Sequence, residues 1–252
     1  MAAFAWLILL QAASAAEVKE APLLAAAGAA VRDYKASLPD FLCRQSVQRY
    51  LTTNLKARWH ALDTITAELS YEKGQEVYGS MSRDGKPIPS EDELIHTGGW
   101  TKGEWAAALT NVFHPATRPV FFDAGPYSIK GSQGRKYSFA VLAANSSWWI
   151  RFGEKALYAG HTGVVWVDRR SGSVVRLEYE TRNLPDDFGI DVATLAVDYG
   201  WVAIERRKYL LPVRAASVFC ERGRPRCQLN RITFTDYRKF EASSRLVDAR
   251  IP

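Results

Sequence analysis

The stretch that most constrains this chain is residues 157–240, a run of long alternating segments separated by short polar turns. Within Val174-Val175-Arg176-Leu177-Glu178-Tyr179-Glu180, the side chains of Val175, Leu177 and Tyr179 fall on one face. Those of Arg176, Glu178 and Glu180 fall on the other. A period of two is what a half-buried β-strand needs, with one face on a core and one in water. Residues 163–168 just before it are β-branched and aromatic, and Arg169-Arg170-Ser171-Gly172-Ser173 supplies a glycine-bearing turn. The pattern repeats as strands over 195–204, 209–219 and 230–240. A charged connection at 205–208 and an Arg-, Gly- and Pro-rich turn at 220–228 join them. The expected class is therefore α+β, mainly β, with a large antiparallel sheet as its frame.

The rest of the chain reads as extension or cover for that sheet. Residues 22–38 predict a helix, with Pro22 near its start and Pro39 just beyond its end. Leu24, Ala27, Val31 and Tyr34 recur at three- and four-residue spacing, which gives one apolar face. Residues 41–53 look extended. Over 59–71 the alternation returns, with Asp63, Ile65, Ala67, Leu69 and Tyr71 on one side, and 75–81 runs back as a hairpin partner. Residues 87–99 are polar and loop-like. Thr101-Lys102-Gly103-Glu104 has the form of a capping box before a helix over 105–113, in which Trp105, Leu109, Val112 and Phe113 share a face. Phe121-Phe122, a hairpin over 127–141 and a segment at 147–150 continue the strands. Residues 241–252 read as a polar tail. No fixed-period repeat or low-complexity linker interrupts the chain, so residues 17–252 are expected to form one domain.

Residues 1–16 are different. A short apolar run over 4–10 is followed by Gln11-Ala12-Ala13-Ser14-Ala15-Ala16, which ends in a small-x-small pattern. That run is far below the roughly 20 residues needed to span a bilayer, so the segment reads as a cleaved signal peptide. The expected location is the periplasm or the exterior. An apolar helix belonging to the domain is the alternative. Export also bears on the cysteines. Cys220 and Cys227 flank a loop of six residues between two strands, and opposed strand ends bring such a pair within bridging distance in an oxidising compartment. The spacing fits neither a usual zinc site nor a C-x-x-C redox pair. A disulfide there stabilises by roughly 2–3 kcal/mol in the chain-entropy picture. Cys43, within Phe41-Leu42-Cys43, reads as a small buried hydrophobe.

Motifs for catalysis are absent from the sequence. His60, His96, His114 and His161 are isolated and lie outside ligand spacing with any cysteine, so no metal is expected. There is no G-x-S-x-G elbow, no phosphate-binding glycine loop and no dinucleotide fingerprint. No cofactor is expected. Asp63, on the apolar side of its strand, reads as a hydrogen-bonded structural group rather than a general base. The formal charge of +6 resides wholly outside residues 1–16. In an exported chain it points to anionic lipid or acidic envelope partners rather than to nucleic acid.

Two groups of residues remain as candidates. The chain carries eight Trp, eleven Tyr and eleven Phe, more than its strands need for alternation alone. Phe121, Phe122, Trp148, Trp149, Trp166 and Trp201 are candidates for the lining of an apolar cavity inside a curved sheet. The other reading is that they pack against the two helices. Arg222, Arg224 and Arg226 in the cysteine loop, with Arg231 beyond it, form a candidate surface for anionic groups; a solvated hairpin tip is the alternative.

Val165-Trp166-Val167-Asp168-Arg169-Arg170-Ser171-Gly172-Ser173-Val174-Val175-Arg176-Leu177-Glu178 resembles a hairpin of the bacterial outer-membrane lipoprotein carrier superfamily, the LolA, LolB and RseB-like periplasmic proteins. Tyr209-Leu210-Leu211-Pro212-Val213-Arg214 and the strand holding Asp236-Tyr237 resemble its closing strands. The likeness covers mainly residues 157–240, with weaker support back to about residue 59. The chain is also similar to uncharacterised exported proteins of soil bacteria that share its Leu38-Pro39-Asp40-Phe41-Leu42-Cys43 start. The resemblance implies an unclosed barrel, a half-shell of antiparallel strands covered by helices, with a hydrophobic cavity and no enzyme activity. Three functions are thereby in view. The first is a non-enzymatic periplasmic protein that binds a lipid, acyl chain or lipoprotein. The second is a protein-interaction or sensor module of the envelope, and the third a secreted hydrolase without a recognisable motif.

Overall fold

The computed structural model describes residues 21–89, 93–94, 107–129 and 131–240. Residues 1–16, expected to be a signal peptide, the capping box at Thr101 and Glu104 with Trp105, and the tail at 241–252 lie outside the described residues. The chain opens with α1 (Pro22–Ser37), then β1 (Phe41–Thr52), β2 (His60–Glu72), β3 (Gln75–Arg83) and the two-residue β4 (Lys86–Pro87). A short α2 (Ala107–Phe113) precedes β5 (Val120–Ile129) and β6 (Ser132–Val141). Next come β7 (Trp149–Phe152), β8 (Lys155–Tyr158), β9 (His161–Asp168) and β10 (Val174–Thr181). The long β11 (Ile190–Ile204), β12 (Arg207–Glu221) and β13 (Cys227–Lys239) complete the fold.

Eleven strands form a single sheet in the order β4-β3-β2-β1-β13-β12-β11-β10-β9-β6-β5, antiparallel throughout. The expected large curved antiparallel sheet, unclosed and covered by helices, is the observed one. Two meanders meet where β1 lies beside β13, with Val47 opposite Ile232. Both edges are poor templates for further pairing. β4 is only Lys86-Pro87, and Pro lacks the N–H a ladder needs. β5 carries Gly125 and Pro126, where its register against β6 shifts. The sheet therefore stops rather than closes. β7 and β8 form a separate hairpin inserted between β6 and β9.

The period of two decides which side is filled. Phe41, Cys43, Gln45, Val47 and Arg49 of β1 are buried, while Arg44 and Gln48 between them are exposed. On β2, Ile65, Ala67, Leu69 and Tyr71 are buried together, as the alternation predicts. Ala27 and Tyr34 of α1 and Leu109, Val112 and Phe113 of α2 join these residues in the main core, so both helices lie on the concave face. Burial of each large side chain there contributes about 1.5–3 kcal/mol. Gly163 on β9 lets β10 approach closely: a Cβ at that position would stand 2.0 Å from the Glu178 carbonyl oxygen. A smaller core of Phe188, Ile190 and Ala193 sits under Ile150, Phe152 and Leu157 of the inserted hairpin.

Cys220 and Cys227 face each other directly across β12 and β13 and are joined as a disulfide, with Cα atoms 4.0 Å apart. Cys43 is free and fully buried, and burial pushes its thiol far above the ordinary range. It is a core residue. Among the described residues no helix is long and apolar enough to cross a membrane.

Candidate binding cleft at the open end of the sheet

The hairpin from β9 to β10 sets up the most site-like surface. Asp168 ends β9 and caps the turn: its Oδ1 accepts from the backbone N–H groups of Arg170 (3.0 Å) and Ser171 (2.8 Å) and from the Ser171 hydroxyl (3.0 Å). Its Oδ2 accepts from the Ser132 hydroxyl at 2.8 Å, which also lies 2.8 Å from the Tyr127 hydroxyl. Burial alone would raise the Asp168 carboxyl, but the hydrogen bonds from Ser171, Ser132 and Arg170 outweigh it and hold the group below the usual carboxylate range. Gly172 takes the left-handed φ of +68° that closes the turn. The turn then rests against α1, where a Cβ on Gly172 would come within 3.1 Å of Ala26 Cβ.

Between this turn and the first turn of α1 the concave face opens into a cleft of ≈ 670 Å³. Ala21, Pro22, Leu23 and Ala26 supply an apolar wall, and Tyr137 of β6 lies at the inner side. Asp123 and Arg135 form an ion pair at one flank, and the Arg135 hydrogen bond holds the Asp123 carboxyl below its ordinary range. Arg169 and Arg170 form the other flank. Both are exposed, and neither makes an ion pair among the described residues. The cleft thus combines an apolar wall with a cationic rim.

The six aromatic candidates do not converge on one lining. Phe121 packs on Phe113 and Phe139 (ring centroids 5.6 and 6.1 Å) and so belongs to the concave core. Phe122, its neighbour on the same strand, pairs with Ser138 and points the other way. Trp148 packs edge-on against Tyr179 (4.6 Å) and His161 (5.5 Å), again in the core. Trp149 is 53% exposed on the inserted hairpin, opposite Tyr158. Trp166 lies on the convex face with the Arg176 guanidinium 5.6 Å from its ring centroid. Trp201 is 57% exposed. The six thus lie on different surfaces: Phe121 and Trp148 are partly buried against the core, and Phe122, Trp149, Trp166 and Trp201 face elsewhere.

The arginine group also divides. Arg222 is a structural clamp: its Nε donates to the Phe188 carbonyl (3.0 Å), its Nη2 donates to the Ile190 carbonyl (3.3 Å), and the guanidinium pairs with Asp191 (3.2 Å) and Asp186 (3.4 Å). Arg224 and Arg226 flank Glu221 at 3.7 and 3.4 Å. Arg231 of β13 lies over the Tyr50 ring of β1, 5.0 Å from its centroid. Each of the four thus already has a partner within the fold.

Two buried polar clusters were only partly legible. Asp63 accepts two hydrogen bonds from Arg49 at 2.6 and 2.5 Å, with Arg83 3.6 Å away. Arg49 is fully buried and also donates to the Leu94 carbonyl at 3.3 Å. Asp63 is therefore structural, as expected of a buried carboxylate. The missed partner had a signal: Arg49 occupies an inward position in the alternation of β1. Beneath α2, Asn111 donates to the Tyr179 hydroxyl (3.3 Å) and accepts from Ser147 (2.8 Å). His161 is fully buried beside them, with Nδ1 3.1 Å from the Ala159 carbonyl and 3.4 Å from the Ser146 hydroxyl. Burial pushes the His161 pKa down, against backbone contacts from Ala159 and Asn111 that raise it. Among the described residues no cluster of His, Cys, Asp and Glu has the arrangement of a metal site.

No protein-family model matches the sequence, and none of the curated proteins matches it. Among solved structures, a DUF1329 family protein from Desulfovibrio piger superposes over 89% of this chain and 96% of its own, at 10% sequence identity and a TM-score of 0.42. A likeness at that level carries no argument about family or activity.

Proposed function

We propose that this protein is a non-enzymatic periplasmic binding protein of the lipoprotein-carrier-like type, holding a hydrophobic or amphiphilic ligand in the cleft beside the first turn of α1. The observation that supports this reading is the cleft itself: a volume of ≈ 670 Å³ with an apolar wall at the open end of an unclosed sheet. That volume falls within the range of roughly 300–1,000 Å³ common for small-ligand sites. Apolar burial at about 25 cal/mol per Å² would drive binding. The disulfide fits an oxidising location.

A hydrolytic reading finds less support. A general base must lie within hydrogen-bond reach of a substrate proton. His161 of the Ser146–His161 pair is fully buried, and the Ser132–Asp168 network contains no histidine among the described residues. A partner-docking reading has one observation in its favour, the exposed cross-strand pair Trp149–Tyr158 on the inserted hairpin.

The test is titration of a neutral fluorescent acyl probe into the protein and into Ala26→Phe. Ala26 is exposed in the cleft wall, so the larger side chain occupies ligand space with little demand on the core. Loss of about tenfold or more in affinity is expected from a blocked apolar site. Unchanged binding in Ala26→Phe would place the ligand elsewhere.

A further inference from the structure

The cleft wall is apolar, but its rim carries chemistry that an acyl chain does not use. Arg169 and Arg170 project from the turn after β9 and make no ion pair among the described residues. Arg135, the third cation at the cleft, is already matched by Asp123. The Asp168 carboxylate is occupied by Ser132, Ser171 and backbone N–H groups. Among the described residues, two guanidinium groups are thus left without a counter-charge at the mouth.

Three further features converge there. Helix α1 is 16 residues long, has Pro22 at its first position, lacks a side-chain cap and carries no acidic residue in its first turn. Pro22 has no N–H and Ala25 donates to the Ala21 carbonyl at 2.9 Å, so the N–H groups of Leu23 and Leu24 are the ones without an intrahelical acceptor, and the helix dipole presents positive potential to the cleft. Tyr137 is only 2% exposed yet contributes to the cleft lining, and its hydroxyl has no hydrogen-bond partner among the described residues. With no partner in the fold, that hydroxyl is available to donate to an acceptor on a ligand in the cleft.

We infer that the cleft binds a phosphate-bearing head group, with the guanidinium groups of Arg169 and Arg170, the N-terminal N–H groups of α1 and the Tyr137 hydroxyl as its donors. Forked guanidinium groups and helix N-termini both match phosphate oxygens in charge and geometry. The inference rests on the proposed binding function, because it assigns the ligand's polar end to the same cleft.

The test uses three probes by calorimetry: short-chain phosphatidylglycerol, a neutral diacylglycerol of the same chain length, and inorganic phosphate. The anionic lipid is expected to bind about tenfold or more tightly than the neutral one, since a charge-assisted hydrogen bond contributes about a factor of ten. Its affinity should fall as salt rises. Arg169→Ala/Arg170→Ala changes only exposed turn residues, so the fold should be retained and the preference for the anionic over the neutral lipid lost. Equal affinity for both lipids and no effect of the double substitution would overturn the head-group site while leaving the apolar cleft standing. Inorganic phosphate bound as tightly as the lipid, and lost in the double variant, would uphold the anion site and overturn the hydrophobic-ligand reading. No binding by any probe would overturn both.

Discussion

Removing the carboxylate of Asp63 is expected to destabilise the fold by about 3–5 kcal/mol, the cost typical of breaking a buried ion pair from one side. The geometry sets that size. Asp63 meets the Arg49 guanidinium through two hydrogen bonds of 2.6 and 2.5 Å, and the Arg49 side chain is wholly enclosed. Each charge-assisted bond contributes about 1.5–3 kcal/mol, and Asp63→Ala would remove both of them from the enclosed guanidinium while its bond to the Leu94 carbonyl stays. For a domain of this size the shift in Tm is about 2–4 °C per kcal/mol, or about 10 °C in all. Urea unfolding followed by tryptophan fluorescence would measure it as a lower midpoint at unchanged slope. The double substitution Arg49→Met/Asp63→Leu should recover part of the loss, because an apolar pair needs no counter-charge, while Arg83 and the Leu94 carbonyl still lose a partner. A midpoint shift worth less than about 1 kcal/mol in Asp63→Ala would refute the reasoning, as would a double variant weaker than either single one.

Other expectations follow from the same structure. His161 is buried with its pKa lowered, so below its ordinary pKa of about 6.5 the unfolded chain binds a proton that the folded one resists. Stability should therefore fall as pH drops from about 7.5 to 5.5, and His161→Phe should flatten that dependence in urea midpoints; an unchanged slope would remove His161 as its source. Trp148→Ala should cost about 3–5 kcal/mol as a core truncation, whereas Trp149→Ser and Trp201→Ser should stay within about 0.5 kcal/mol. Thermal unfolding of the three variants separates core from surface. Cys220→Ser/Cys227→Ser should lose about 2 kcal/mol by the loop-closure relation, and a reductant should lower the Tm of the parent but not of the variant.

Local pattern accounts for how much of the architecture could be read in advance. Residues 63–71 alternate in sequence, and Ile65, Ala67, Leu69 and Tyr71 are all buried on one face of β2. The helix expected over 22–38 appears as Pro22–Ser37, bounded by the same prolines. Asp168 and Gly172 explain the turn in chemical terms, one capping it and the other closing it with a positive φ. What the sequence did not convey was long-range pairing. Nothing local places β1 beside β13, because their contacts join opposite ends of the chain. The cleft is another such case, since the first turn of α1 meets the turn 169–172 only once the sheet has curved.

The aromatic assignment carries a lesson that was present in the sequence. Phe121-Phe122 and Trp148-Trp149 are adjacent residues in extended chain, and a pleated strand must send neighbours to opposite faces. At most one of each pair could line a concave wall, and in the structure Phe121 and Trp148 are the inward ones. The basic hairpin teaches the complementary point. Arg222 looked like a solvated or ligand-seeking cation, yet its donors hold the carbonyls of Phe188 and Ile190 across a gap of more than thirty residues. At the cleft, the cations without an ion pair among the described residues are instead Arg169 and Arg170, in a turn whose glycine was its main sequence signal.

Native mass spectrometry of the protein, expressed from its full coding sequence and recovered from the envelope, tests the binding function most directly. The account predicts a stoichiometric amphiphile adduct that is lost in Ala26→Phe. A clean unliganded mass that persists after short-chain lipid is added would contradict it and move the Trp149–Tyr158 surface to first place.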